Sequence, residues 1–206
     1  TSGRTILTGT NTYTGATTIS AGTLQIGNGS SGSIANSSGV SVSSGATLAL
    51  NQATGTTFSQ AVTNAGTVNF IQSGTLTASG IISSTGNVSQ SGTGTTTLTG
   101  TNNYTGATTV SAGTLQLTGS ALNASTTRLV TVSSGATLQL TATSGVFNNP
   151  AIFSAGIAGS GTILIDGSFV LGYANSSTQS FTGTINVPGK LQSWTGMDFS
   201  SATVNL

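Results

Sequence analysis

Residues 8–26 read TGTNTYTGATTISAGTLQI, and residues 99–117 read TGTNNYTGATTVSAGTLQL. The two copies lie 91 positions apart and differ only at Thr12 against Asn103, Ile19 against Val110 and Ile26 against Leu117. Each difference exchanges residues of like polarity and similar volume. Duplication of this kind marks a structural unit used more than once, and such chains fold by stacking units on their neighbours rather than around one central core.

A shorter phrase inside the copy recurs much more often: Gly, then Thr or Ala-Thr, then two apolar residues separated by one other. It stands as GTLQI at 22, GATLAL at 45, GTVNF at 66, GTLQL at 113, GATLQL at 135, GTILI at 161 and GTINV at 183, with SATVNL at 201. The clean steps between starting positions are 23 (22 to 45), 21 (45 to 66), 22 (113 to 135) and 22 (161 to 183), and GNVSQ at 86 fills part of the longer gap. Within each phrase the apolar residues sit two apart, as in Leu24 and Ile26, Leu48 and Leu50, Val68 and Phe70, or Leu115 and Leu117. Period two is the signature of a strand with one buried face. A strand that recurs at this short step leaves too little chain for a helical crossover of about a dozen or more residues. The intervals instead hold further short strands, TILT at 5, ATTIS at 16 and VSVS at 40, separated by Gly, Asn and Ser. Those residues suit corners, because Gly accepts positive φ without steric cost and Asn with little. The pattern predicts an all-β right-handed parallel β-helix (β-solenoid) of about nine coils with roughly 22 residues per coil, within the range of stacked repeat units. At about 4.8 Å per rung it would form a rod roughly 40 Å long.

A longer period overlies the short one. The block 5–50 returns at 96–140, with VSVSSGATLAL at 40 matching VTVSSGATLQL at 130, an offset of 90. Beyond it Phe58, Ala61 and Val62 pair with Phe147, Ala151 and Ile152. Four coils would make one block, giving a repeat block 5–95, a second block 96–165 and a divergent tail 166–206. The tail holds Lys190, Trp194, Met197, Asp166 and Asp198. The chain opens and closes inside its own pattern, TSGRTILTG at the front and SSATVNL at the back, and reads as one solenoid segment of a longer protein.

Composition narrows the chemistry further. Only 2% of the 206 residues are charged, namely Arg4, Arg128, Lys190, Asp166 and Asp198, and there is no Glu, His or Cys. Disordered chains pair low hydrophobicity with high net charge, whereas this one is 35% hydrophobic, with mean hydropathy +0.22 and net charge +1. Long helices favour Ala, Leu, Glu, Lys and Arg; abundant Thr, Val and Ile punctuated by Gly favour strands and turns. No apolar run approaches the ~18 residues of a membrane span, and residues 1–20 lack the charged start and apolar core of a signal peptide.

Without His or Cys, neither a Ser-His-Asp nor a Cys-His arrangement can be assembled. Lys190 has Val187 three positions before it, so Ser-x-x-Lys fails. The one carboxylate pair, Asp166 and Asp198, is separated by about one and a half coils and is read as two turn or cap residues in IDGS and GMDFS. Zinc and iron lack ligands, calcium lacks its carboxylates, and three cations make no stripe for nucleic acid. The reading is therefore non-enzymatic, with no cofactor and no metal.

Aromatic rings are the remaining candidates, because a ring exposed along a rod can stack on a sugar face. Tyr13, Tyr104, Tyr173 and Trp194 are the candidate glycan-stacking residues. Tyr13 and Tyr104 hold the same place in the two copies, about four coils apart, and covering a corner before the Thr-Gly turn is their plainer role. Asn-x-Ser/Thr sequons stand at Asn28, Asn36, Asn87, Asn103, Asn123 and Asn175, as expected of a chain rich in these residues.

The stretch 86–117, GNVSQSGTGTTTLTGTNNYTGATTVSAGTLQL, resembles the passenger-associated transport repeat, also called the autotransporter-associated β-strand repeat. The GTGTTTLTG lead-in, the NNYTGATT centre and the AGTLQL close carry the likeness, and residues 5–27 match without the lead-in. Gln90 stands where the family commonly has lysine, and these residues contain no translocator barrel. The resemblance implies a right-handed parallel β-helix in a large bacterial cell-surface or secreted protein, often an adhesin-like passenger. Three roles follow for such a segment: a structural stalk or display element, a component of a self-associating extracellular filament or sheath, or a carbohydrate-binding or carbohydrate-cleaving β-helix. The expected partners are copies of itself or neighbouring coils of the parent chain, and surface glycans or host or biofilm matrix, with no nucleic acid.

Overall fold

The computed structural model describes residues 3–118, 129–141, 147–148, 156–166, 169–172, 180–188, 191–195 and 200–205. Among them every strand pairing is parallel and no α-helix occurs. The first sheet has nine strands, the second eight, the third four and the fourth three. One regular turn runs through Val62–Asn64 of the third sheet, Thr67–Phe70 of the first and Thr75–Ala78 of the second. The chain then returns at Ile82–Ser83, which pairs in register with Val62 and Thr63. This is a β-solenoid.

On the second sheet, seven steps lead from Thr56 to Thr203, so the chain makes about seven full turns of about 21 residues each, at the short end of the range for stacked repeats. The first sheet begins earlier, at Arg4, and has nine strands, but the phrase does not follow it throughout. The phrases at 22, 45 and 66 lie on the first sheet and those at 113, 135, 161, 183 and 201 on the second, so the expected nine coils become about seven full turns. At about 4.8 Å per step, the eight steps of the first sheet separate its first and last strands by about 38 Å.

Alternation places the core. Leu48, Val68 and Val88 form one inward column of the first sheet, and Ile26, Leu50 and Phe70 form another, all buried. On the second sheet Leu115, Leu138 and Ile163 stack the same way. Each such side chain removed from water contributes roughly 1.5–3 kcal/mol, and the rungs hydrogen-bond to one another along the whole sheet.

The corner from the first to the second sheet needs glycine for close approach. A Cβ on Gly94 would overlap the Gly74 carbonyl oxygen, and one on Gly113 the Gly94 carbonyl oxygen. Those carbonyls are committed: Gly74 accepts from the Thr95 N–H and Gly94 from the Thr114 N–H, each at 3.0 Å. Any side chain there would push adjacent turns apart.

The repeat blocks are not whole numbers of turns, which corrects the expectation of four coils per block. Leu24, Leu48, Val68, Val88 and Thr108 are successive in-register neighbours on the first sheet, so four turns carry the chain from position 24 to position 108, an advance of 84. The copies are offset by 91. The difference of seven carries the second copy one side further round the coil. Thr17–Ile19 lies in the third sheet, but its copy Thr108–Val110 lies in the first; Thr23–Ile26 lies in the first, but Thr114–Thr118 lies in the second. Val40–Val42 and Val130–Val132 are displaced in the same sense.

Candidate functional site

Tyr13 and Tyr104 do not lie in one row. Tyr13 sits in the corner before Thr17–Ile19, is 39% exposed, and its hydroxyl is 2.7 Å from Thr17 Oγ1. Tyr104 makes the same contact with Thr108 Oγ1, at 2.8 Å, but is fully buried. A buried ring has no face to offer a sugar, so Tyr104 is corrected from candidate stacker to core residue. The one-side rotation also puts the two tyrosines on different sides of the coil, before a third-sheet and a first-sheet strand respectively. Tyr173 lies outside the described residues; Trp194 falls in the strand Leu191–Thr195, with its side chain outside the description.

The carboxylate pair is not assembled among the described residues either. Asp166 ends the strand Thr162–Asp166 and is exposed, while Asp198, Lys190 and Arg128 lie outside them. No group of three or more His, Cys, Asp or Glu residues that could hold a metal occurs among the described residues. Arg4 donates from its guanidinium to Gln25 Oε1 of the next turn. Surface depressions among the described residues include one of about 430 Å³ beside Gly3, Thr5, Thr18 and Ser20 and another of about 270 Å³ beside Leu164, Asn186, Val187, Pro188 and Asn205. Neither is lined by an acid or a base.

The distinctive surface is the outer face of the second sheet. Thr75, Thr95, Thr114, Thr137, Thr162, Thr184 and Thr203 are paired in unbroken register, each at least partly exposed. The neighbouring column runs Thr57, Thr77, Thr97, Gln116 and Gln139, in which Thr97 donates to Gln116 Oε1 at 3.0 Å. From residue 5 to 127 the chain has no charged residue. Its exterior there is hydrated by hydroxyl and amide groups that stay neutral at any ordinary pH.

Sequence reasoning missed the polar residues inside. Gln72, Gln90, Asn64, Asn102, Thr96 and Thr108 are buried. Gln90 was legible in part: it stands two residues after Val88, in the inward phase of its strand, Asn87–Gln90.

These features define a class, a parallel β-solenoid repeat protein whose described exterior is polar and nearly free of charge. More particularly, the passenger-associated-transport-repeat family model matches residues 2–26 and 88–117, so the chain carries two stretches of that repeat. The matched stretches bracket both nineteen-residue copies and make up about a quarter of the chain. No curated protein and no solved structure matches it. Repeat and solenoid together fit a passenger-type segment of an autotransporter-like protein, a family that suggests a surface or secreted setting. No helix among the described residues is long and apolar enough to cross a membrane.

Proposed function

We propose that this segment is a non-enzymatic stalk or display element of a large bacterial surface or secreted, adhesin-like protein. The observation that carries the proposal is the in-register first sheet, whose nine strands are bonded rung to rung over about 38 Å. Such a column resists bending because every rung is held by its neighbours above and below, and it adds about 4.8 Å of reach per turn. The nearly uncharged exterior supports the same role, since its hydration depends little on pH or salt.

A dilution series followed by small-angle scattering and electron microscopy tests this reading. A monomeric rod of constant length at all concentrations is expected. Filaments that lengthen with concentration would replace the stalk with the self-associating filament. Binding on a glycan array that is lost on Tyr13→Ala, or hydrolysis lost on Asp166→Ala, would replace it with the carbohydrate reading.

A further inference from the structure

A chain of buried side-chain hydrogen bonds runs through the corner between the first and second sheets. Leu50 and Phe70 are paired, so Gln52 and Gln72, each two residues later, hold the same corner position on successive turns. Both are at least nine-tenths buried. Gln52 Nε2 donates to the Gly32 carbonyl at 3.1 Å. Gln72 Nε2 donates to Thr96 Oγ1 at 2.5 Å, and the Thr96 hydroxyl donates in turn to Gln90 Oε1 at 2.6 Å. Gln90 Nε2 closes the chain on the carbonyls of Gly92, 2.8 Å, and Gly94, 3.2 Å. One link is missing: Gln52 Oε1 and Gln72 Oε1, both buried, accept no hydrogen bond.

A buried acceptor without a donor forfeits its hydration and gains nothing in return, and here two occur one rung apart. We infer that a single ordered water lies between Gln52 and Gln72, donating one O–H to each carboxamide oxygen. One water can serve both turns: rungs are about 4.8 Å apart along the backbone, and two O–H···O bonds of about 2.8 Å span a distance of that size at an angle. The count of donors also favours it, since two acceptors need two donors and a water has two. A cation is the wrong occupant, because ions such as calcium take about six to eight oxygens, several of them carboxylate. Nothing can grow down from the next turn, where the equivalent position is Gly92 and a Cβ would overlap the Gln72 carbonyl oxygen. With the water in place, side-chain bonding is continuous from the Gly32 carbonyl to the Gly94 carbonyl. That spine is specific to these turns, so it opposes slippage of one coil against another in a chain whose coils otherwise resemble each other.

A high-resolution crystal structure of the 206-residue chain tests the site directly, with density expected within hydrogen-bond reach of both oxygens. In solution, the ¹⁵N-labelled side-chain amides of Gln52 and Gln72 should show cross-relaxation to a long-lived water, lost in Gln72→Met. The double variant Gln52→Met, Gln72→Met should lower the unfolding midpoint by less than the two single variants summed, because the second removes an already broken site. A direct bond from Gln52 Nε2 to Gln72 Oε1 with no water density, or strictly additive midpoint shifts, overturns the inference.

Discussion

Tyr104 and Thr108 join hydroxyl to hydroxyl at 2.8 Å with both residues buried, while their copies Tyr13 and Thr17 make the same contact at 2.7 Å with the ring 39% exposed. The local geometry is thus written in the nineteen residues, and the burial is not. Replacing Tyr104 by Ala leaves a large cavity and should cost about 3–5 kcal/mol. Tyr104→Phe keeps the ring and should cost about 1 kcal/mol, the worth of one buried hydrogen bond. Tyr13→Ala should cost less than Tyr104→Ala by at least about 2 kcal/mol. Equilibrium denaturation of the three variants measures the ranking, and equal losses at Tyr13 and Tyr104 would contradict the burial difference.

That pair also shows what the sequence could and could not tell. Strand phase was readable because Leu48 and Leu50, or Leu115 and Leu117, alternate with other residues, and all four side chains are buried. The corners were readable from glycine. The side of the coil that each copy occupies was not, because a phrase such as AGTLQL specifies a corner followed by a strand, which any side accepts. The side is set by the summed length of the turns between copies, an advance of 84 over four turns against an offset of 91. One or two residues more or fewer at a corner change that sum and leave no local mark. Gln90 illustrates a second gap: alternation puts it inside, but only Thr96, Gly92 and Gly94, brought together by the fold, explain how its amide is satisfied.

The glycine corner can be challenged with the smallest possible change. Gly94→Ala places a methyl group against the Gly74 carbonyl oxygen, a backbone atom that cannot swing aside. Overpacking of this kind costs typically about 1–3 kcal/mol, the loss expected here. Gly15 is the control, because a Cβ there would meet nothing within 4 Å and its φ is not positive. Gly15→Ala should stabilise by about 0.4–1 kcal/mol through the unfolded chain. A neutral Gly94→Ala would mean that the turns do not approach so closely at this corner.

Stability should be nearly blind to pH and salt. The chain has no His, Cys or Glu, and five charged side chains in all. No side chain with an ordinary pKa changes charge between about pH 5 and 8. Folded and unfolded states therefore bind the same number of side-chain protons across that window, and the linkage slope is close to zero. Arg4 on Gln25 is a charge-to-amide contact rather than an ion pair, so salt has little to screen there. Unfolding midpoints from about pH 5 to 8 and from about 0.01 to 1 M salt should coincide. A midpoint that climbs or falls steadily with either would reveal a charge interaction absent from the described residues.

Register on the second sheet can be locked and read with a disulfide, because the chain has no cysteine to interfere. Gln116 and Gln139 are paired on adjacent parallel strands and both lie on the outer face. Their Cα atoms are about 4.8 Å apart, inside the roughly 4.4–6.8 Å that a disulfide accepts. Thr97 is one rung beyond Gln116 on the other side, so Thr97 and Gln139 are two rungs or about 9.6 Å apart. The double variant Gln116→Cys, Gln139→Cys should oxidise to an intramolecular bond under mild conditions, seen as a mass loss of two hydrogens and faster migration without reductant. Thr97→Cys with Gln139→Cys should remain reduced. The linked form should also unfold later, since the bond closes a loop of about one turn and removes about 3 kcal/mol of unfolded-state entropy. Rapid closure of the two-rung pair, or failure of the one-rung pair, would show that the polar column Thr97, Gln116, Gln139 is out of the register given by their paired strands.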